Sequence, residues 1–551
     1  MLGLAPIALA ILACGPSRAV NPPDLILTDA RIFTADPARP EAEALAVADR
    51  RIVAVGRAAD LLPTAGPATK ILRAGGRRVV PGFIDTHVHF IGGGRDLLGP
   101  DLRGIDTEAE FARRLAAAAA RLPKGSWITG GGWDHERWPG AALPHRKNVD
   151  PLTPDHPLIV SRTDGHLAFA NGLALTLSGV TRDTPDPAGG VIGRDPDTRE
   201  PTGILKDAAI GLVEAKVPPP TFDERLAAAR EALALARRHG VTAIHDMAGS
   251  ADLDVYRRLE RDGTLTVRVR LYFPMASRRR AFAEKAAGAD LLRVMGTKAF
   301  ADGSLGASTA FMFEPFDDDP KNAGLRDAAF QNRDAFLSAL LDVDREGMQT
   351  CVHAIGDRAN REVLDLFEEV ARRNGPRDRR ARVEHAQHLT PEDIPRFARL
   401  GVIPSMQPYH CVDDGRWAER RLGARRSRTT YPFRSLLDAG ATLAFGSDWP
   451  VAPLEPALTL HAAVTRATLD GKHPGGWVPE ERISPAEAIV CHTRNAAYAA
   501  FDETRLGRLA PGFLADFVVL SDDPLSIDPA RLEQVQATLT VLDGRIIHGG
   551  L

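Results

Sequence analysis

Two histidines separated by one residue, His87-Val88-His89, close an apolar run that starts at Val79-Val80 and passes through Pro81-Gly82-Phe83-Ile84-Asp85-Thr86. Side chains alternate along a strand, so residues i and i+2 share a face with Cα atoms roughly 6–7 Å apart. Two imidazoles so placed can grip one metal ion, because zinc takes histidine nitrogens at about 2.0–2.1 Å. For this stretch alone, the alternative is a core strand carrying two polar residues. Further along, Lys298, His353, His385 and Asp448 each fall at the end of a short strand-like run. Four histidines, an aspartate and a lysine form a set able to hold a divalent metal. Duller readings exist for the members taken singly: a satisfied core histidine for His353 or His385, and a helix cap for Asp448 in the turn-like Gly446-Ser447-Asp448.

Such a set works only if one scaffold brings it together. Strand-like runs at 79–89, 240–245, 267–273, 292–300, 348–353, 381–385, 402–406 and 442–446 alternate with helical stretches at 223–238, 278–287, 333–346, 361–374, 391–400 and 430–439. Strands and helices in this alternation predict an α/β fold, a (β/α)8 TIM-like barrel, with its active site at the C-terminal ends of the strands. In that order the first strand ends in His87 and His89, the fourth in Lys298, the fifth in His353, the sixth in His385 and the eighth in Asp448. Residues 99–220 break the rhythm, with strand-like pieces at 127–131 and 158–162, and are expected as an insertion over the active-site mouth after barrel strand 1. The barrel then comprises residues 79–98 and 221–504. Short strands near both chain ends predict a small β-sandwich composed of residues 24–78 and 505–551, with independent terminal sheets as the alternative.

Five motifs carry a resemblance: Pro81-Gly82-Phe83-Ile84-Asp85-Thr86-His87-Val88-His89, Lys298-Ala299-Phe300-Ala301-Asp302-Gly303, Val352-His353-Ala354-Ile355-Gly356-Asp357, Val383-Glu384-His385-Ala386 and Phe445-Gly446-Ser447-Asp448-Trp449-Pro450. Together they resemble the amidohydrolase superfamily and, within it, the YtcJ-like branch or amidohydrolase family 3. The insertion fits as well, through Asp164-Gly165-His166 and Pro201-Thr202-Gly203-Ile204-Leu205. The resemblance implies a metal-dependent hydrolase of a non-peptide carbon–nitrogen bond, with one or two ions, most often zinc. His87, His89 and Asp448 would hold one ion and His353 and His385 the other, with Lys298 as an N6-carboxylated bridge. Burial beside cations lowers a lysine pKa and frees the amine for CO₂; a salt bridge with Asp302 or Asp448 is the other use of Lys298. Asp448 would shuttle the proton. An esterase, lactonase or dipeptidase on the same centre is the second enzyme reading, and an exported binding protein with a structural metal the reading from another class.

Substrate contacts are expected from the insertion, at Asp164, His166 and Trp133, the last clustered with Asp134 and Trp138. Packing of the insertion onto the barrel is the other use of that cluster, and Tyr409, His410 and Trp417 carry the same ambiguity. Asp357 and Glu384 adjoin ligand motifs and are candidates to orient them, Cys351 reads as barrel filler, and Lys206 is a weaker alternative to Lys298. Lys and Arg total 69 against 72 Asp and Glu, a balance that marks neither nucleic acid nor a membrane surface as partner. The expected partner is a small-molecule substrate, with a homodimer left open. Four scattered cysteines fit neither a disulfide framework nor a Cys-rich zinc site. Residues 1–20 resemble an export or lipoprotein signal with Cys14 as the lipidated residue, although no Lys or Arg precedes the apolar run. That predicts a periplasmic protein, with membrane contact only through the anchor, or a cytoplasmic one if the segment is no signal.

Overall fold

The computed structural model describes residues 22–285 and 290–551; the signal-like segment and Cys14 lie outside them. Eight parallel strands pair in chain order: β1 (Phe83–Val88), β2 (Val241–Met247), β3 (Arg268–Pro274), β4 (Leu292–Phe300), β5 (Gln349–Ala354), β6 (Arg382–His385), β7 (Ile403–Met406) and β8 (Ala444–Phe445). The ring closes beyond the short β8. Asp448 N–H donates to the His87 carbonyl at 2.7 Å, and His89 N–H to the Trp449 carbonyl at 2.8 Å. Helices cover the outside, as parallel strands require. The helix Phe222–Arg238 shows why they form: a Thr221/Glu224 capping box starts it, and its buried Leu226, Ala229, Leu233 and Ala236 recur at helical spacing.

The expected architecture holds, with local corrections. Residues 79–81 belong to the terminal sheet as the end of Lys70–Pro81, not to the barrel. Gly82 makes the change of sheet: its N–H donates to the Asp516 carbonyl at 2.9 Å, and a Cβ there would lie 2.1 Å from Thr242 Oγ1. The β8 ladder is shorter than the 442–446 run suggests, since its backbone leaves the sheet to carry the turn bearing Asp448.

Strands from both chain ends join one eight-stranded sheet in which Lys70–Pro81 pairs with Leu25–Phe33 on one side and Phe517–Leu520 on the other. The sheet folds over, so that Leu27, Leu45, Ile52, Val79, Phe517 and Leu539 share one apolar cluster. Independent terminal sheets are therefore not formed. The insertion carries a five-stranded sheet of Gly131–Trp133, Ile159–Arg162, Leu167–Ala170, Pro201–Asp207 and Gly190–Arg194. Its first strand lies later than the 127–131 run; Ile128 makes only an isolated bridge to Leu158.

A buried arginine ties the barrel to the terminal sheet: Arg268 on β3 pairs with Asp516 at 2.7 and 2.9 Å, while Arg270 on the same strand pairs within the barrel with Asp502 at 2.5 Å. A buried guanidinium needs such partners, because its desolvation costs several kcal/mol, of order 20 in the idealised limit.

Candidate metal centre

His87 is the last inward-facing residue of β1, and its ring orientation is set from below. Nδ1 meets Glu384 Oε2 at 2.6 Å. A carboxylate there takes the Nδ1 proton and leaves the Nε2 lone pair facing the cavity. Glu384 is held in turn by Arg382, fully buried, which also reaches Ser405 Oγ at 3.0 Å and His245 Nδ1 at 2.9 Å. His89 lies one residue past the strand, at the entry to the helix Phe90–Leu98. Its Nε2 and that of His87 each stand 3.5 Å from Asp448 Oδ1. The shared face expected of a His-x-His strand is thus met by convergence on one carboxylate oxygen rather than by strict strand geometry.

Asp448 adopts φ +62°, a left-handed conformation that few non-glycine residues take. Its neighbour Gly446 is packed so tightly that a Cβ would lie 2.6 Å from His87 N. Asp448 Oδ1 is buried and has no hydrogen-bond partner among the described residues. A buried carboxylate oxygen left so is costly unless a ligand completes it. Burial lifts the Asp448 carboxyl to about 7 against the pull of Lys298.

His385, at the end of β6, lies 5.0 Å from the His87 ring and 4.5 Å from that of His353 between centroids. Donor atoms of His87, His385 and Asp448 all fall within 4.8 Å of one another. Burial, reinforced by neighbouring cationic groups, holds His87, His353 and His385 well below the usual imidazole range, so they are neutral, as metal ligands must be. His353 Nε2 turns toward the Gly303 carbonyl at 3.0 Å and Asp302 Oδ1 at 3.4 Å, which leaves Nδ1 as the nitrogen available on its other side.

Lys298 Nζ lies 3.3 Å from His87 Nε2 and 4.5 Å from the Phe300 ring centre. It has no salt-bridge partner among the described residues, so the alternative pairing with Asp302 or Asp448 is not made. Asp302 instead accepts the N–H groups of Phe311, Ile355 and Gly356 at 2.8–3.0 Å. Burial lowers the Lys298 pKa. The donor set of neutral imidazoles, an open carboxylate and a lysine without a counter-ion fits a divalent metal.

All six expected ligands line one cavity of about 700 Å³ together with Asp164 and His166. His166 Nδ1 bonds Asp207 at 2.6 Å. Burial opposes its charge, but that bond and the Asp164 and Asp207 carboxylates outweigh it and raise the imidazole to about 9. Asp164 accepts from Ser304 Oγ at 2.6 Å and pairs with Arg162 at 2.9 Å, fastening the insertion to the loop after β4.

Trp133 is a correction. Its ring is fully buried, packs on Phe111 and Trp138 in the insertion's own core, and donates Nε1–H to the Val160 carbonyl at 2.9 Å. Trp138 is held likewise by Ile105, and Asp134 is taken up by Arg162 and Arg416 at 2.7 and 2.8 Å. Trp417 is buried in the barrel-side core, whereas His410 reaches a small side pocket beside His385. Asp357 accepts from Phe313 N at 2.9 Å, away from the cavity; Lys206 donates to the Ala307 carbonyl at 3.1 Å and is not among the cavity residues. Cys351 is buried filler. Two partners have no motif of their own in the sequence: Asp207, the carboxylate partner of His166, whose only signal is its place just after the Pro201-Thr202-Gly203 motif, and Gln407, which meets His385 Nδ1 at 2.8 Å.

Comparison with known proteins agrees with this geometry. The profile of the amidohydrolase family matches residues 71–548. Protein LONG AFTER FAR-RED 3 of Arabidopsis thaliana is 40% identical, over 92% of this chain and 89% of its own. A putative amidohydrolase YtcJ of Bacillus subtilis is 34% identical over 88% and 91%, and an N-substituted formamide deformylase of Arthrobacter pascens 27% identical over 95% and 97%. An uncharacterized metal-dependent hydrolase of Pyrococcus horikoshii has a solved structure that superposes with a TM-score of 0.74 at 26% identity, covering 92% of this chain and 99% of that one. With a rim of histidines, a lysine and an aspartate at the C-terminal ends of its strands, this chain belongs to the amidohydrolase family.

Proposed function

We propose that the protein is a metal-dependent hydrolase of a non-peptide amide-type carbon–nitrogen bond, with His87, His89, Lys298, His353, His385 and Asp448 as metal ligands and zinc as the ion. The observation that carries the metal role is Asp448 Oδ1, buried and unpartnered at 3.5 Å from two imidazole nitrogens. A bound divalent ion supplies a water acidic enough to ionise near neutral pH and a Lewis acid for a carbonyl oxygen. Asp448 takes the proton of the attacking water and passes it to the leaving nitrogen, which must be protonated to depart. His166, cationic at neutral pH through Asp207, offers its second ring nitrogen as a donor to the carbonyl oxygen as negative charge develops there. Lys298, free of any carboxylate, adds its amine to CO₂ and loses a proton, giving an anionic carbamate with two ligand oxygens. Preference for carbon–nitrogen cleavage is supported by the likeness to the N-substituted formamide deformylase, which matches nearly end to end.

The test joins metal analysis to a substrate panel. Protein purified without chelator is expected to hold about two metals per chain, falling to one or none in Lys298→Ala, and to cleave amides in preference to matched esters. About one metal in both proteins removes the bridging role of Lys298. No metal in either, or turnover of esters and lactones alone, overturns the assignment.

A further inference from the structure

The arginines lining the cavity are of two kinds. Arg162 is engaged: it holds Asp134, which Arg416 takes from the other side, and reaches Asp164. Arg95 and Arg103 line the same cavity, yet neither has a salt-bridge partner among the described residues. Arg103 donates to the Val451 carbonyl at 3.3 Å, and Arg95 makes one long contact with Thr129 Oγ1 at 3.5 Å. A guanidinium carries five N–H donors in a planar fork that matches a carboxylate. Most donors of this pair are therefore left without a protein acceptor in a half-buried position.

Backbone contacts fix where these forks stand. Val451, whose carbonyl holds Arg103, donates its own N–H to the Asp448 carbonyl at 2.7 Å. Two hydrogen bonds thus link the guanidinium to the turn bearing Asp448. Arg95 lies on the helix Phe90–Leu98 that begins just after His89, about 9 Å along the axis at 1.5 Å per residue. The wall beside Arg103 is pared to backbone: a Cβ on Gly132 would lie 2.6 Å from Arg103 Cγ. Asp96 and Glu214 line the same region, paired with neither arginine. Burial lifts Asp96 to about 6 and raises Glu214, with the arginines pulling the other way.

We propose that Arg95 and Arg103 form a carboxylate-binding subsite, and that the substrate is an amide carrying a carboxylate at the end remote from the bond that is cut. This rests on the carbon–nitrogen hydrolase reading for the reaction, but not for the binding of an anion. A fork held next to the Asp448 turn orients an acidic substrate by its far end, and the binding energy realised there positions the amide over the metal centre.

The test uses full-length, zinc-loaded protein and a series of N-formyl amino acids of increasing chain length, each compared with its carboxamide. Wild type is expected to prefer the acid, with one chain-length optimum and a preference that weakens as salt is added. The acid-to-carboxamide ratio of kcat/KM is expected to fall about 10- to 100-fold in Arg103→Gln and in Arg95→Gln, as for loss of a charge-assisted hydrogen bond. Arg103→Lys, which keeps charge without the fork, is expected to fall between. Calorimetric binding of suberate, a long-chain dicarboxylate, needs no turnover. Suberate bound by wild type and lost in Arg103→Gln upholds the subsite even if no amide is cleaved, and then only the carbon–nitrogen reading fails. Amides cleaved with the same acid-to-carboxamide ratio in wild type and both Gln variants overturn the subsite. So does suberate that wild type fails to bind, or that wild type and variant bind equally.

Discussion

Replacing Glu384 by glutamine changes one atom and reverses a hydrogen bond at the metal centre. In wild type the carboxylate accepts from His87 Nδ1 at 2.6 Å, which points the Nε2 lone pair into the cavity. The glutamine amide offers an NH₂ donor in the same place, and a donor facing Nδ1 moves the ring proton to Nε2, where it blocks ligation. Losing such an orienting partner lowers metal affinity about 10- to 100-fold, or about 1.4–2.7 kcal/mol. A second effect acts on the fold. Arg382 is fully buried and pairs with Glu384 at 2.8 Å, and removing the carboxylate from a buried pair costs about 3–5 kcal/mol. Because Arg382 keeps Ser405 and His245 as partners, the lower end of that range is expected. Zinc competition against a chromophoric chelator at neutral pH reads the first effect, and the urea midpoint of the apo-protein reads the second. Glu384→Asp separates them, since it keeps a charge for Arg382 while falling one methylene short of His87. Zinc affinity within twofold of wild type in Glu384→Gln would refute the tautomer argument, whatever the stability.

Trp133→Ala is expected to destabilise the protein by about 3–5 kcal/mol, the usual cost of emptying a buried aromatic site, with KM for any cleaved substrate unchanged; a selective rise in KM without loss of stability would return Trp133 to the mouth. Gly446→Ala places a methyl group 2.6 Å from His87 N and 2.7 Å from Asp85 Oδ1, so metal content and thermal midpoint are expected to fall together, by about 1–3 kcal/mol in stability; a variant with full metal content contradicts this. Asp502, between Arg270 and Arg293, is buried, yet the two arginines lower its carboxyl below the usual range. Its contribution to stability is therefore complete above the unfolded-state value of about 3.9 and is lost as pH falls through the lower folded-state value. Urea midpoints measured down through that range should fall more steeply in wild type than in Asp502→Asn, and parallel curves would show that this pair does not govern acid stability.

Much of the centre was legible because its residues are placed by period rather than by long-range packing. A strand ending in His87, Lys298, His353 or His385 announces both the element and its rim, and barrel order supplies the convergence. Trp133 was misread because the rings that enclose it, Phe111 and Phe169, lie on other elements of the insertion, and no local pattern separates an aromatic that fills a core from one that lines a mouth. An apolar run continues across Gly82 and so suggests one strand; the change of sheet there shows only in the pairing of residues 79–81 with Phe517–Leu520 and in the close packing of Thr242 on Gly82. Arg95 and Arg103 carry no motif at all. What sets them apart is that no carboxylate among the described residues pairs with them, although Asp96 and Glu214 line the same cavity, and that property exists only in three dimensions.

The strand Lys70–Pro81 has a consequence for how the chain is assembled. It pairs on one side with a strand made just before it and on the other with Phe517–Leu520, which leaves the ribosome hundreds of residues later. Until then the strand that leads directly into β1 presents an open edge of unpaired backbone groups, and such edges invite pairing with other chains. Contacts this distant in sequence form late and slow the search for the native state. A nascent or C-terminally truncated chain can therefore hold every ligand of the metal centre and still be prone to aggregate, because the seam that secures the first barrel strand is closed by its last segment.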